Sequence, residues 1–191
     1  MIISHELKFI FIHVHRTGGT TLKNILLTQL KGKAQSNSQH GNARTAEYSL
    51  IEKHKDYFVF GFARNPWQRM LSWYSLINKH NMRDIADKKK DFEYFLQNDL
   101  AFGPLENSFH YNQLDYFTSA DNQLVTSKIY RYEHFEEELK ELFTLLALPA
   151  IDIPVINNTD KKNYKEYYSE KSIDLINEKC KKDIDYFGYK F

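Results

Sequence analysis

The residues best suited to chemistry lie in "FIHVHRTGGTTL", residues 11–22. An apolar run meets Arg16, then Thr17, Gly18, Gly19, Thr20 and Thr21, then helix-forming residues. A glycine-rich turn between a strand and a helix exposes backbone N–H groups to an anion at the positive end of the helix dipole. Gly18 and Gly19 allow close approach. Thr17, Thr20 and Thr21 offer hydroxyl donors, and Arg16 brings full charge. The Walker A pattern GxxxxGK[ST] is not met, because here the basic residue precedes the glycines. No Mg²⁺-binding Asp closes the second apolar run, "YFVFGFA", which ends on Arg64. A nucleoside triphosphate with Mg²⁺ is therefore the weaker expectation, and no metal site is expected.

Arg64 opens a second candidate anion site. Ligands in open α/β sheets bind beyond the carboxyl ends of the strands, where Arg64 falls. Ser72 lies in the second turn of the helix that begins at Pro66. Side chains tilt toward a helix N-terminus, which aims Ser72 back toward Arg64, with Gln68 and Arg69 on adjoining faces. An arginine fork plus a hydroxyl fits a phosphate dianion. The bland reading pairs Arg64 with a carboxylate and makes Ser72 a helix filler. A ligand with two separated anionic groups would satisfy both sites. 3′-Phosphoadenosine 5′-phosphosulfate is one, its phosphosulfate on the first loop and its 3′-phosphate on the second.

The elements that must position these residues can be read from pattern. Leu7–Val14 and Tyr57–Ala63 are nearly continuous in apolar, β-rich residues, as in strands buried on both faces. "SKIYRY" (127–132) reads as a third, shorter strand. Leu22, Ile25, Leu26 and Leu30 recur at helical spacing, with Gly32 as a stop. Asn65 as N-cap and Pro66 at the first helical position start another helix. Residues 46–55 predict a short helix, and 91–117 predict shorter helices with aromatic faces. Phe135, Leu139, Leu142, Phe143 and Leu146 mark an amphipathic helix. Ser169 caps a last helix with Ile173, Ile176, Cys180 and Ile184 on one face. Strands alternating with helices predict one α/β domain over residues 1–191, a central parallel sheet flanked by helices.

The chain has 191 residues, enough to bury a core without disulfides. Its net charge is +1, which gives no general attraction to nucleic acid or acidic membranes. The single cysteine, Cys180, points to a reducing compartment. No apolar run reaches about 18 residues, and the amino-terminal stretch lacks the charge and cleavage pattern of a signal peptide. A cytoplasmic location is expected. Arg83 and Lys88–Lys90 could meet an anionic glycan, although a solvated surface is the simpler reading. Cys180 has no zinc-like neighbours in sequence and reads as core.

At these motifs the sequence resembles the sulfotransferase family, in particular its membrane-associated and bacterial carbohydrate branch. Residues 11–22 resemble the family's 5′-phosphosulfate loop, F-I-H-[IV]-P-K-[TC]-[GA]-G-T-[ST]. "FARNPWQRMLSWY" resembles its 3′-phosphate motif, R-[NH]-P-x-x-R-x-x-S-x-Y. "IYRYEHFEEELKEL" and "DIDYFGYKF" resemble later blocks, so the likeness spans nearly the whole chain. It implies a P-loop-like three-layer fold. It also implies that Arg16–Thr21 hold the phosphosulfate and that Arg64 and Ser72 hold the 3′-phosphate. The family's Pro-Lys is His15-Arg16 here. Arginine keeps the charge but differs in plane and length, which bears on turnover more than on donor binding.

Transfer to a hydroxyl needs charge stabilisation on the leaving oxygen and a base for the acceptor proton. Arg16 suits the first task. His40, in "QHGNARTAEY", resembles an H-x-T-A segment of the family and is the leading base. His110 and His15 are the alternatives. His13 reads as loop support, and His5, His54, His80 and His134 as surface residues. Two rival readings stay open: a nucleotide-dependent kinase on a similar sheet, and a non-catalytic module that binds nucleotide or sulfated glycan. The expected partner is a hydroxyl acceptor such as a glycan or glycolipid, with a small alcohol or tyrosine also compatible. Oligomeric state is not legible.

Overall fold

A computed structural model describes residues 1–78, 88–101, 109–150 and 164–191. The chain divides into two compact units, Met1–Arg64 with Gln113–Ile156, and Asn65–Asn112 with Asn157–Phe191.

The first unit holds a five-stranded sheet. Its strands are β1 (Ile2–Ser4), β2 (Phe9–Ile12), β3 (Gln35–Ser36), β4 (Phe58–Ala63) and β5 (Lys128–Arg131), in the order β3-β1-β2-β4-β5. β2, β4 and β5 run parallel, with Phe11 opposite Phe60 and Phe62 opposite Tyr130. β1 pairs antiparallel with both β2 and β3. The sheet is therefore mixed, which corrects the expectation of a parallel one. The chain enters as a hairpin, with Ile2 opposite Phe11, rather than as a lead into the first long strand. Lys8 takes a left-handed φ of 50° at the turn. The β1 and β3 strands are too short to show a period in sequence.

Alternate residues of each strand face opposite sides of the sheet. Phe9, Phe11, Phe60, Phe62 and Tyr130 share a core with Leu22, Leu26 and Leu30 of α1 (Gly19–Leu30) and with Leu139, Leu142 and Phe143 of α6 (Phe135–Leu145). Ile10, Ile12 and Val59 pack on the other side with Ile51 of α2 (Tyr48–Lys53) and with Tyr116 and Phe117 of α5 (Leu114–Phe117). Helices thus cover both faces.

The second unit is helical. α3 (Pro66–Asn78) starts as its sequence signals: the Asn65 Oδ1 accepts the backbone N–H of Gln68 (3.2 Å). Trp67, Met70, Trp73 and Tyr74 form a core with Phe92, Phe95 and Leu96 of α4 (Lys88–Gln97) and with Ile176 of α7 (Glu170–Lys179). Ser169 caps α7 in a reciprocal capping box with Ser172. The closing stretch is two helices rather than one. The break falls at Cys180, before α8 (Lys181–Phe187). Asn112 inserts there, donating to the Lys179 carbonyl (2.9 Å) and accepting from the Asp183 amide (3.3 Å). A side chain wedged into the helical ladder is a sufficient cause of such a break. No helix among the described residues is long and apolar enough to cross a membrane.

Candidate functional site

Parallel pairing of β2, β4 and β5 sets their carboxyl ends side by side. They deliver the 13–18 loop, Arg64 and Tyr132 to one end of the first unit. The loop is tightly built. Thr17 is buried, and its hydroxyl donates to the Val14 carbonyl (3.0 Å). That hydroxyl therefore closes the turn instead of pointing out as a donor. Arg16 and Gly18 both take left-handed conformations, at φ 66° and 77°. Such a backbone is natural for glycine and strained for arginine. Gly18 caps α1, and no acidic residue stands in that helix's first turn. Thr20 is exposed and Thr21 half-buried there.

The glycines answer to space as well as φ. A Cβ on Gly18 would meet the Tyr132 ring at 2.8 Å and the Phe135 ring at 2.9 Å. One on Gly19 would stand 1.9 Å from His13 Cδ2 and 2.3 Å from its Nε2. The pair lets the chain turn into α1 directly against these rings.

Arg64 is tied to this loop. Its Nη1 donates to the Arg16 carbonyl (3.3 Å), and its guanidinium lies 4.6 Å over the Tyr132 ring. Gln113, fully buried, takes both backbone groups of Arg64: its Oε1 accepts the N–H (2.8 Å) and its Nε2 donates to the carbonyl (2.7 Å). Arg16 is half-buried, and that burial lowers its pKa from the ordinary value, with Tyr132 opposing.

His40 joins the same end of the sheet. Its Nδ1 lies 3.0 Å from the His13 carbonyl. A carbonyl only accepts, so Nδ1 carries the hydrogen and the neutral ring keeps its lone pair on Nε2. The loop around it is fixed by Ala43 N–H on the Tyr116 carbonyl (3.1 Å) and by Arg44 on Asn122 (2.8 Å) and Asp115 (3.3 Å). His15 stacks on His40, ring centroids 3.4 Å apart and planes 18° apart. The His15 Nδ1 lies 2.7 Å from the Tyr116 hydroxyl. His13 touches His40 at 4.6 Å between centroids. Burial, then the charge His40 can carry, pulls the His13 pKa down to about 3. His13 Nδ1 has no hydrogen-bond partner among the described residues.

Of the expected site residues, the first unit gathers Arg16–Thr21, His40 and Arg64. Ser72 is buried on α3, in the second unit. Arg69 there is a structural tie, its guanidinium donating to the carbonyls of His110 and Tyr111 (2.9 Å each) over the Phe109 ring. His5 and His54 form a surface cluster with Tyr57, and His134 pairs with Glu137 (3.5 Å). His80 and Arg83 lie outside the described residues. Sequence reasoning missed Gln113, Tyr116 and Tyr132. Only Tyr132 carried a signal, since it closes the third predicted strand, near where Arg64 follows the second.

An α/β protein is thus defined, with a glycine-opened loop and an arginine at the carboxyl ends of adjacent parallel strands. The chain belongs to the Sulfotransferase family, whose sequence model matches residues 1–190. No curated protein and no solved structure gives a match. Membership supports sulfuryl transfer to a hydroxyl acceptor as the general activity.

Proposed function

We propose that the protein transfers a sulfuryl group from 3′-phosphoadenosine 5′-phosphosulfate to a carbohydrate hydroxyl, releasing adenosine 3′,5′-bisphosphate. The observation that carries this reading is the tie between Arg64 and the Arg16 carbonyl. It ties the arginine suited to a 3′-phosphate to the loop suited to a phosphosulfate. The loop ends at the first turn of α1, whose amides and positive dipole end suit an anion. Arg16 with Thr17–Thr21 would hold the phosphosulfate, and Arg64 with Ser72 the 3′-phosphate.

In the reaction, a bond forms between the acceptor oxygen and sulfur, and the bond from sulfur to the leaving phosphate oxygen breaks. Arg16 and the α1 amides stabilise charge gathering on that oxygen. Nε2 of His40 takes the acceptor proton. No metal is required in this scheme. The fold reads as a P-loop-like single catalytic domain, and Cys180, buried, fits a reducing, cytoplasmic setting.

The test is transfer of label from the donor to a panel of glycans, glycolipids, alcohols and tyrosines in the presence of a chelator. Labelled glycan is the expected product. Donor binding without label on any acceptor would overturn the enzyme reading and favour a binding module. Phosphoryl transfer from ATP that requires Mg²⁺ would overturn it in favour of a kinase.

A further inference from the structure

We infer, on the reading of His40 as the base, that His15 clamped by Tyr116 is a positioning residue: it fixes the plane of the His40 imidazole and keeps its Nδ1 on the His13 carbonyl. His15 occupies a position where the family pattern places proline, and a turn in the backbone does not need an imidazole there. Yet the ring is 2% exposed and is placed on two sides. One face stacks on His40 at 3.4 Å between centroids, and Nδ1 meets the Tyr116 hydroxyl at 2.7 Å.

Tyr116 has two holds on the base. Its hydroxyl fixes His15, and its carbonyl accepts from Ala43, in the loop that carries His40. Tyr116, on α5, is itself fully buried against the sheet, so both holds stand on the core. The hydrogen bond from His40 Nδ1 to the His13 carbonyl fixes one edge of the ring but leaves it free to swing about that line. The flat contact with His15 removes the swing. A base must point its lone pair at the acceptor proton within a narrow range, and small misplacements of reacting groups are expensive in rate. Half-buried His40 gains that direction from a neighbour that is itself immobile.

The test combines imidazole NMR of the ligand-free protein with turnover. In the wild type, the His40 Nδ1 proton should be visible in slow exchange, and the ring protons should be shifted upfield by the stacked His15 ring. Tyr116→Phe keeps the buried ring and removes the hydroxyl. His15→Ala removes the stack, and His15→Phe restores a flat face. Tyr116→Phe and His15→Ala should broaden the His40 Nδ1 proton and lower kcat by up to about 100-fold. Affinity for adenosine 3′,5′-bisphosphate should hold in Tyr116→Phe, and His15→Phe should recover much of the kcat lost in His15→Ala. Unchanged His40 signals in both Tyr116→Phe and His15→Ala would overturn the inference, as would His15→Phe no better than His15→Ala. If the wild type transfers no label at all, the base reading fails separately. The NMR signals still report whether His15 holds the His40 ring.

Discussion

The guanidinium of Arg64 donates through Nη1 to the carbonyl of Arg16, at 3.3 Å. Two strand-end arginines 48 residues apart in sequence are thereby held together within the first unit. Adenosine 3′,5′-bisphosphate should accordingly raise Tm without added metal, by about 2.7 kcal/mol of stabilisation at roughly 100 times Kd. Arg64→Ala should remove most of that shift, because a charge-assisted contact is lost. The check is a thermal shift series that includes ADP and MgATP. Equal shifts from nucleotides with and without a 3′-phosphate would refute the donor assignment.

Arg16→Ala should abolish transfer while affinity for the bisphosphate product falls less. In the proposed reaction that charge acts mainly on the transition state. Arg16→Lys, which restores the residue of the family pattern, should retain or raise kcat. Single-turnover rates beside product titrations separate the two effects, and near-normal kcat in Arg16→Ala would remove Arg16 from the mechanism.

His40→Ala should lower kcat by about 10²–10⁴-fold with donor binding little changed. Retention of the acidic limb of the kcat/KM profile in this variant would move the base to another residue, His110 first.

Gly19→Ala puts a methyl group 1.9 Å from the His13 ring. His13 is buried and stacked on Phe11 at 5.9 Å between centroids, so it cannot step aside cheaply. A loss of about 1–3 kcal/mol is expected, by analogy with overpacked cores. Urea unfolding measures it, and donor affinity should fall in parallel. Wild-type values for both would show that the loop has slack.

His13 gives a pH signature. Its folded pKa is lowered from the ordinary 6.5 to about 3. Between these values the unfolded chain binds a proton that the folded chain refuses. Its contribution to stability is therefore complete above the unfolded value and is lost as pH falls toward 3, at up to about 1.4 kcal/mol per pH unit. Stability measured from pH 7 to 4 should fall less steeply in His13→Leu than in wild type, once the two are compared as slopes. An imidazole of His13 titrating near 6.5 in the folded protein would contradict its burial.

The long apolar runs were legible because a strand buried on both faces leaves no polar residues to break the run; β2 and β4 follow from them, and β5 from the shorter run of β-forming residues at 127–132. The start of α3 was written in Asn65 and Pro66. The hairpin partner β1 was not, since three residues carry no period. The helix break at Cys180 was hidden too, because the side chain that makes it comes from Asn112. The loop of the candidate site was readable from residue types alone: glycines, threonines and an arginine after a strand. The company of His40 was not. His15 and Tyr116 lie 101 residues apart, and only the packing of α5 on the sheet brings the hydroxyl to the ring.

Among the described residues the mixed sheet ends in two rims, the places at which a sheet can recruit another chain. One rim, β3, is only two residues long, and both are exposed. The other, β5, carries Lys128 and Arg131 in four residues, with the Lys128 ammonium drawn over the Tyr130 ring and paired to Glu141. Shortness at one rim and fixed positive charge at the other are standard protections against strand-to-strand aggregation. A chain so rich in aromatic residues can therefore keep an open sheet without becoming a template for its own copies.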